Sequence, residues 1–260
     1  MTAPRGPERH RRWLRCVAPL PTARIRLVCF PHAGGAASGY ATWPARMAPF
    51  AEVLAVQYPG REERHDEPFA AGVDELADGV AAALAALVPG RYALFGHSLG
   101  ATVAHEVARR AHRPPEHLVV SGRLPPPELR PGSVHLRDDD GLVAELTELG
   151  GTAAALLTDP EMRALVLPRV RADYRVAETY RPRPGPPLQV PVTAVIGDAD
   201  PRVDERRARR WAETTAAGFD LEVLPGDHFY LTDQREALLA LLRRRLGLPD
   251  VVAARWPSTP

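Results

Sequence analysis

From residue 24 onward, short apolar runs alternate with segments whose apolar positions recur at helical spacing. Residues 24–30 (RIRLVCF) end at Pro31, and residues 52–57 (EVLAVQ) end at Tyr58-Pro59-Gly60; both read as strands. Between 73 and 88, Val73, Leu76, Val80, Leu84 and Leu87 share one helical face, and Pro89-Gly90 stops the helix. A short buried strand over 92–95 leads into a helix over 98–111, followed by a strand over 117–121 (HLVVS). Much later come a strand over 192–196 (VTAVI), a helix around 204–215, a strand over 219–224 and a closing helix over 234–246, with Asp233 placed to cap it. The strands are apolar runs rather than strict alternations. Separated by helices, they predict an α/β fold with a mostly parallel sheet covered on both faces.

The alternation is interrupted once, over about 124–187. A Pro-rich entry (Pro125, Pro126, Pro127, Pro131) precedes helical stretches over 138–149 and from Asp159-Pro160-Glu161 to about Tyr180. Pro168 is expected to kink or split the second, and Pro182, Pro184, Pro186 and Pro187 close the segment. A helical insertion between two sheet strands, bounded by prolines, is how a lid is built; covering exposed core is the simpler role, and the two are compatible. Residues 1–22, rich in Arg and Pro near the start, read as a flexible leader, 23–247 as one domain and 248–260 as a tail.

Composition adds mainly exclusions. At 260 residues with 45% hydrophobic and 25% charged residues, the chain is an ordinary globular one. A net charge of +1 leaves no electrostatic footprint for nucleic acid. No apolar run is long enough to span a bilayer, and the N-terminus has no secretory h-region, so no membrane partner and a cytoplasmic location are expected. Cys16 and Cys29 are the two cysteines and are expected to be free thiols; no Cys/His spacing suggests zinc, so neither metal nor cofactor is expected. All 33 basic residues are Arg and there is no Asn, which points to a high-GC bacterial genome rather than to phosphate recognition.

The chemistry centres on Gly96-His97-Ser98-Leu99-Gly100, lying between a strand and a helix. A G-x-S-x-G string needs such a context: the turn must be sharp enough to expose the hydroxyl, and the flanking positions must be glycine because a Cβ there collides with backbone. Ser98 is therefore the candidate nucleophile of an α/β-hydrolase-type fold, with an N-cap in a Gly-rich turn as the bland reading. A serine needs a base held by an acid, and in this fold the order is Ser, then Asp or Glu, then His. His228, in Pro225-Gly226-Asp227-His228, lies in a loop after the last strand, whereas His10, His65, His105, His112, His117 and His135 sit in leader, helix or loop positions that do not suit the role. Asp198 and Asp200 both follow the strand over 192–196. Asp200 is preferred because it lies farther beyond the strand end; Asp198 is suited to tightening the turn. Asp227, next to the base, reads as a turn residue. Oxyanion donors are expected from the backbone N–H of Leu99 and, in the small-residue loop Pro31-His32-Ala33-Gly34-Gly35, of Ala33. His32 is expected to position that loop rather than to take part in proton transfer.

With these residues in hand, the chain resembles the stand-alone type II thioesterases of polyketide and nonribosomal peptide synthesis. The resemblance runs from about Arg24 to Leu246. It rests on Phe30-Pro31-His32-Ala33-Gly34-Gly35, Trp43, Val56-Gln57-Tyr58-Pro59-Gly60-Arg61-Glu62, Phe95-Gly96-His97-Ser98-Leu99-Gly100-Ala101, Leu149-Gly150-Gly151-Thr152, Ala172-Asp173-Tyr174, Glu178-Thr179-Tyr180, Gly197-Asp198, Asp200-Pro201 and Gly226-Asp227-His228-Phe229. Leu99 stands where the family usually carries Met. The resemblance implies a serine thioesterase that clears aberrant or stalled acyl groups from the phosphopantetheine arm of an acyl or peptidyl carrier protein; a monomer is the default expectation. Arg109, Arg110, Arg113 or Arg123 are candidates to touch an acidic carrier, against the simpler reading of a solvated arginine face. A carboxylesterase or acyltransferase needs the same three side chains, and a non-catalytic carrier-binding scaffold is a further alternative. A thioesterase module cut from a larger synthase is less expected, since the chain opens on Met1 with no carrier-domain linker.

Overall fold

A computed structural model describes residues 10–150 and 157–249. Seven strands form one sheet: β1 (Leu14–Arg15), β2 (Ile25–Phe30), β3 (Ala51–Val56), β4 (Tyr92–His97), β5 (Leu118–Ser121), β6 (Val192–Gly197) and β7 (Phe219–Leu224). Their spatial order is β1-β3-β2-β4-β5-β6-β7, parallel except for β1. The longer helices are α1 (Val73–Leu87), α2 (Leu99–Arg110), α3 (Asp139–Glu148), α4 (Pro160–Thr179) and α5 (Arg235–Arg245).

The apolar runs of the central strands follow from burial on both sides. In β2, Val28 and Phe30 join the core beneath α1 and α2, while Ile25, Leu27 and Cys29 join the core beneath α5. Tyr92 and Leu94 in β4 face the first core, and Ala93 and Phe95 the second. A side-chain period of two therefore sends these apolar residues into one layer or the other. Helix α2 follows the central strand, and residues 99–108 of it are all buried.

Helices α3 and α4 lie between β5 and β6, at the interruption of the strand–helix alternation. They have a small core of their own: Val134, Leu142, Leu146, Leu157, Leu167 and Val170. Asp138 caps α3 by accepting from the Gly141 N–H at 2.8 Å, and Asp159 caps α4 by accepting from the Glu161 N–H at 2.8 Å. Helix α4 runs through Pro168 without splitting. The carbonyl deprived of a donor belongs to Ala164, and both Ala164 and Pro168 are exposed, so water can serve it. At α5 the capping expectation fails: the N-cap is Gln234, with no side-chain hydrogen bond, rather than Asp233.

The segment expected to be a flexible leader differs most. Its residues 1–9, like the tail beyond 249 and Gly151-Thr152, lie outside the described residues, but from Trp13 onward it is built into the domain. Strand β1 pairs antiparallel with β3, Leu14 opposite Val56 and Arg15 opposite Ala55. Trp13 is 8% exposed, lies against Gly79 of α1 and carries the Arg64 guanidinium 4.0 Å from its ring centroid. One indole drives this docking, since a tryptophan buries more apolar area than the flanking arginines cost to order. Trp13→Ala is expected to cost about 3 kcal/mol of stability, read as a lower midpoint in denaturant at unchanged slope.

Candidate active site

Every candidate residue lies beyond the C-terminal end of a parallel strand, where loops of neighbouring strands converge. Ser98 follows β4 with φ 54° and ψ −118°, a strained conformation for a residue with a Cβ. Its own N–H is bonded to the Ser121 carbonyl at 2.8 Å, which pins the turn to β5. A Cβ on Gly96 would lie 2.2 Å from the Gly100 oxygen, and one on Gly100 would lie 2.1 Å from the Phe30 oxygen. Both glycines are thus required by close backbone approach, as the motif implies.

His228 and Asp200 are brought together. The imidazole Nδ1 is 2.9 Å from Asp200 Oδ2, with the carboxylate wholly buried and the ring nearly so. Asp200 Oδ1 accepts from the Arg202 N–H at 2.8 Å. Asp198 has a different partner, accepting from the Gly226 N–H at 2.8 Å. The Asp198 N–H donates to the Leu224 carbonyl at 2.9 Å and the Ala199 N–H to the Gly226 carbonyl at 3.0 Å, so the two turns are laced together by backbone. This lacing delivers the Asp200 side chain to the imidazole. Asp227 accepts from the Phe229 N–H at 2.7 Å, closing its own turn. Among the described residues His228 Nε2 makes no hydrogen bond, to Ser98 Oγ or to any other group.

Ser98, Leu99, Ala33 and His228 all line one cavity of about 410 Å³. Its far wall comes from the insertion and sets Leu124, Leu129, Leu146 and Leu149 among Glu128, Arg130, Glu145 and Glu178. The acidic groups in that wall are matched: Glu128 by Arg207 and Arg210, Glu145 by Arg202 and Arg137, and Glu178 by His135 and the Val134 and His135 N–H groups. The N–H groups of Ala33 and Leu99 donate to nothing among the described residues, unlike those of Gly34, Gly35 and Ala37.

Three imidazoles near the site or in the sheet are held neutral. Burial, followed by the charges of His228, Arg169 and Arg61, lowers the His32 pKa to about 4. Burial puts His97 well below its ordinary value; its Nδ1 lies 2.8 Å from Ser121 Oγ, which in turn meets the Tyr230 hydroxyl at 2.6 Å. His117, bonded to Thr193 Oγ1 at 2.9 Å, is lowered to about 4 by burial and then by Arg245. His32 makes edge contact with the Phe229 ring at 5.1 Å, and its carbonyl accepts from the Gly35 N–H at 2.9 Å.

A thioesterase-domain profile matches residues 25–246. The chain belongs to the thioesterase family. This thioesterase is 45% identical to Thioesterase PikA5 of Streptomyces venezuelae, over 95% of this chain and 91% of that one. It is 44% identical to a probable cadicidin biosynthesis thioesterase of Streptomyces griseus, over 93% of this chain and 68% of that one. Among solved structures it superposes on the type II thioesterase BorB from the borrelidin biosynthetic cluster with a TM-score of 0.84 and 47% identity, covering 90% of this chain and 98% of BorB. The thioesterase has an α/β-hydrolase fold, and among the described residues no helix is long and apolar enough to cross a membrane.

Sequence reasoning did not find what holds the small-residue loop. Gln57, Arg61 and Asp173 do so, and they entered only as letters within diagnostic strings. The arginines considered for carrier contact are engaged within the thioesterase itself. Arg109 pairs with Glu106, Arg110 with Glu106, Asp74 and Asp78, Arg113 with the carbonyls of Val88 and Pro89, and Arg123 with Thr102.

The lowered histidines make stability depend on pH with a definite sign. The unfolded chain, with histidines near 6.5, takes up more protons than the folded one between about 6.5 and about 4. Stability is therefore complete above that window and falls as pH drops through it. Unfolding free energies at pH 7 and pH 5 are expected to show this decline, and His117→Gln, which keeps a donor for Thr193, is expected to flatten it.

Proposed function

We propose that the thioesterase hydrolyses acyl groups held as thioesters on the phosphopantetheine arm of an acyl or peptidyl carrier protein, in polyketide or nonribosomal peptide synthesis, through Ser98, His228 and Asp200. The observation that carries this reading is the His228–Asp200 hydrogen bond at the edge of the cavity that Ser98 also lines, with Nε2 of the same ring free. Support for the substrate class comes from BorB and from YbtT, a 28% identical type II thioesterase of the yersiniabactin NRPS/PKS biosynthetic pathway. Those pathways belong to those proteins, and similarity carries the class to this one.

Ser98 Oγ attacks the thioester carbonyl while its proton passes to His228 Nε2, and Asp200 at Nδ1 stabilises the imidazolium. The carbonyl oxygen takes up negative charge, which the free N–H groups of Ala33 and Leu99 are placed to receive, the latter at the start of α2 where the helix dipole adds to it. The C–S bond then breaks and the thiolate leaves with the proton from His228. Water, deprotonated by His228, attacks the Ser98 ester by the same route, releasing the acid and restoring the hydroxyl. No cofactor enters these steps. The leucines that the insertion sets in the cavity wall are suited to an acyl chain and give that segment the part of a lid. The protein acts in the cytoplasm as a monomer.

Intact-mass analysis of acyl-carrier proteins is expected to show acyl loss with the wild type and none with Ser98→Ala; clearance by the variant would remove Ser98 from its role. Asp200→Asn is expected to lower turnover by about 10²-fold or more, whereas Asp198→Asn affects mainly the turn; the reverse order would transfer the acid role. Parallel assays on carrier thioesters and p-nitrophenyl esters distinguish a thioesterase from a carboxylesterase on the same fold.

A further inference from the structure

Three of the six backbone donors in the loop over 31–37 are committed, those of Gly34, Gly35 and Ala37. The Gly35 N–H turns back to the His32 carbonyl, and the Ala37 N–H goes to Gln57 Oε1 at 3.1 Å. The Gly34 N–H goes to Asp173 Oδ2 at 2.7 Å, a residue of α4 in the insertion. Asp173 is also held by Arg61 in a two-pronged pair, at 2.6 and 2.7 Å, with both side chains at most 5% exposed. Arg61 Nη1 donates to the Gly35 carbonyl at 2.9 Å, and the Arg61 carbonyl accepts from Gln57 Nε2 at 3.1 Å. One buried ion pair thus grips the loop by an N–H at 34 and a C=O at 35.

A second contact joins the same two elements. Gly34 has φ +79°, and a Cβ there would lie 2.6 Å from Val170 Cγ2. Val170 and Asp173 are three residues apart and share one face of α4. The insertion helix is therefore seated on the loop at Gly34 by packing and by a charged hydrogen bond. Ala33, whose N–H is the loop's contribution to the proposed oxyanion site, immediately precedes that seat.

We infer that Asp173 and Arg61 are positioning residues that set the Ala33 N–H toward the reacting carbonyl, and that they make this donor depend on the seating of helix α4. The inference rests on the reading of Ser98 and its oxyanion donors given above. It adds that the insertion does more than wall the acyl cavity: lifting α4 takes away the acceptor of the Gly34 N–H and frees the loop. Transition-state stabilisation and lid position are then two readings of one contact.

Removing one partner leaves a buried charge uncompensated, so the test removes both, as Arg61→Met with Asp173→Leu. The double variant is expected to keep wild-type circular dichroism and thermal midpoint. Its kcat on a carrier thioester is expected to fall about 10²-fold, the loss of one oxyanion donor, with KM little changed. Affinity for an alkylboronic acid, which forms a tetrahedral adduct on Ser98, is expected to fall in parallel. A folded double variant with kcat and boronate affinity within about threefold of wild type would overturn the inference, because a donor's loss costs far more than that. If the double variant does not fold, Gly34→Ala decides the matter. Its kcat is expected to drop, and adding Val170→Ala to recover part of it; unchanged kcat in Gly34→Ala, or no recovery, counts against the seat. Activity surviving in Ser98→Ala would instead bring down the reading of the site, so the two failures remain separate.

Discussion

The sharp turn at Ser98 is the constraint on which the rest of the molecule hangs. A residue with a side chain is held at φ 54°, between the central strand and a helix buried along residues 99–108. It stays there because Gly96 and Gly100 let backbones pass at distances no Cβ tolerates, and because Ser98 N–H is tied to β5. Such strain persists only where its surroundings over-determine it. Here they are two apolar layers, one on each face of a parallel sheet, which leave the β4–α2 junction little freedom to relax.

Around that turn, polar groups are sorted by whether their hydrogen bonds are already taken. Asp198 is used to lace two turns together, and Asp200 is thereby delivered to His228. Gly34, Gly35 and Ala37 commit their N–H groups inside the loop or to Gln57 and Asp173, while Ala33 and Leu99 keep theirs. Burial lowers the pKa of both His32 and His97, the two imidazoles beside His228. Reactive capacity at this site is what remains unpaired once the scaffold has satisfied itself.

The fold was legible because its signals are local. The runs at 24–30, 52–57 and 219–224 became strands within a residue at either end, and helix α1 followed the spacing of Val73, Leu76, Val80 and Leu84. The cap at Asp159 could be read, because an Asp acts within one turn of itself, whereas the helix runs on through Pro168, where a kink or split was expected. Strand β1 could not be read: two residues paired to β3 have no periodicity, and Trp13 is committed only by what it meets across the chain.

The site divides in the same way. The order of Ser98, Asp200 and His228 along the strands, and the glycines beside Ser98, are properties of neighbouring residues and of chain order, so the primary structure alone determined them. The sequence favoured Asp200 over Asp198, and tertiary packing supplied the reason, the interlocking of the turns after β6 and β7. Packing alone decided that Arg61 and Asp173, 112 residues apart, would meet at Gly34. A charge pair across that separation leaves no periodic trace in the sequence, and its partners are chosen by the geometry that buries them both.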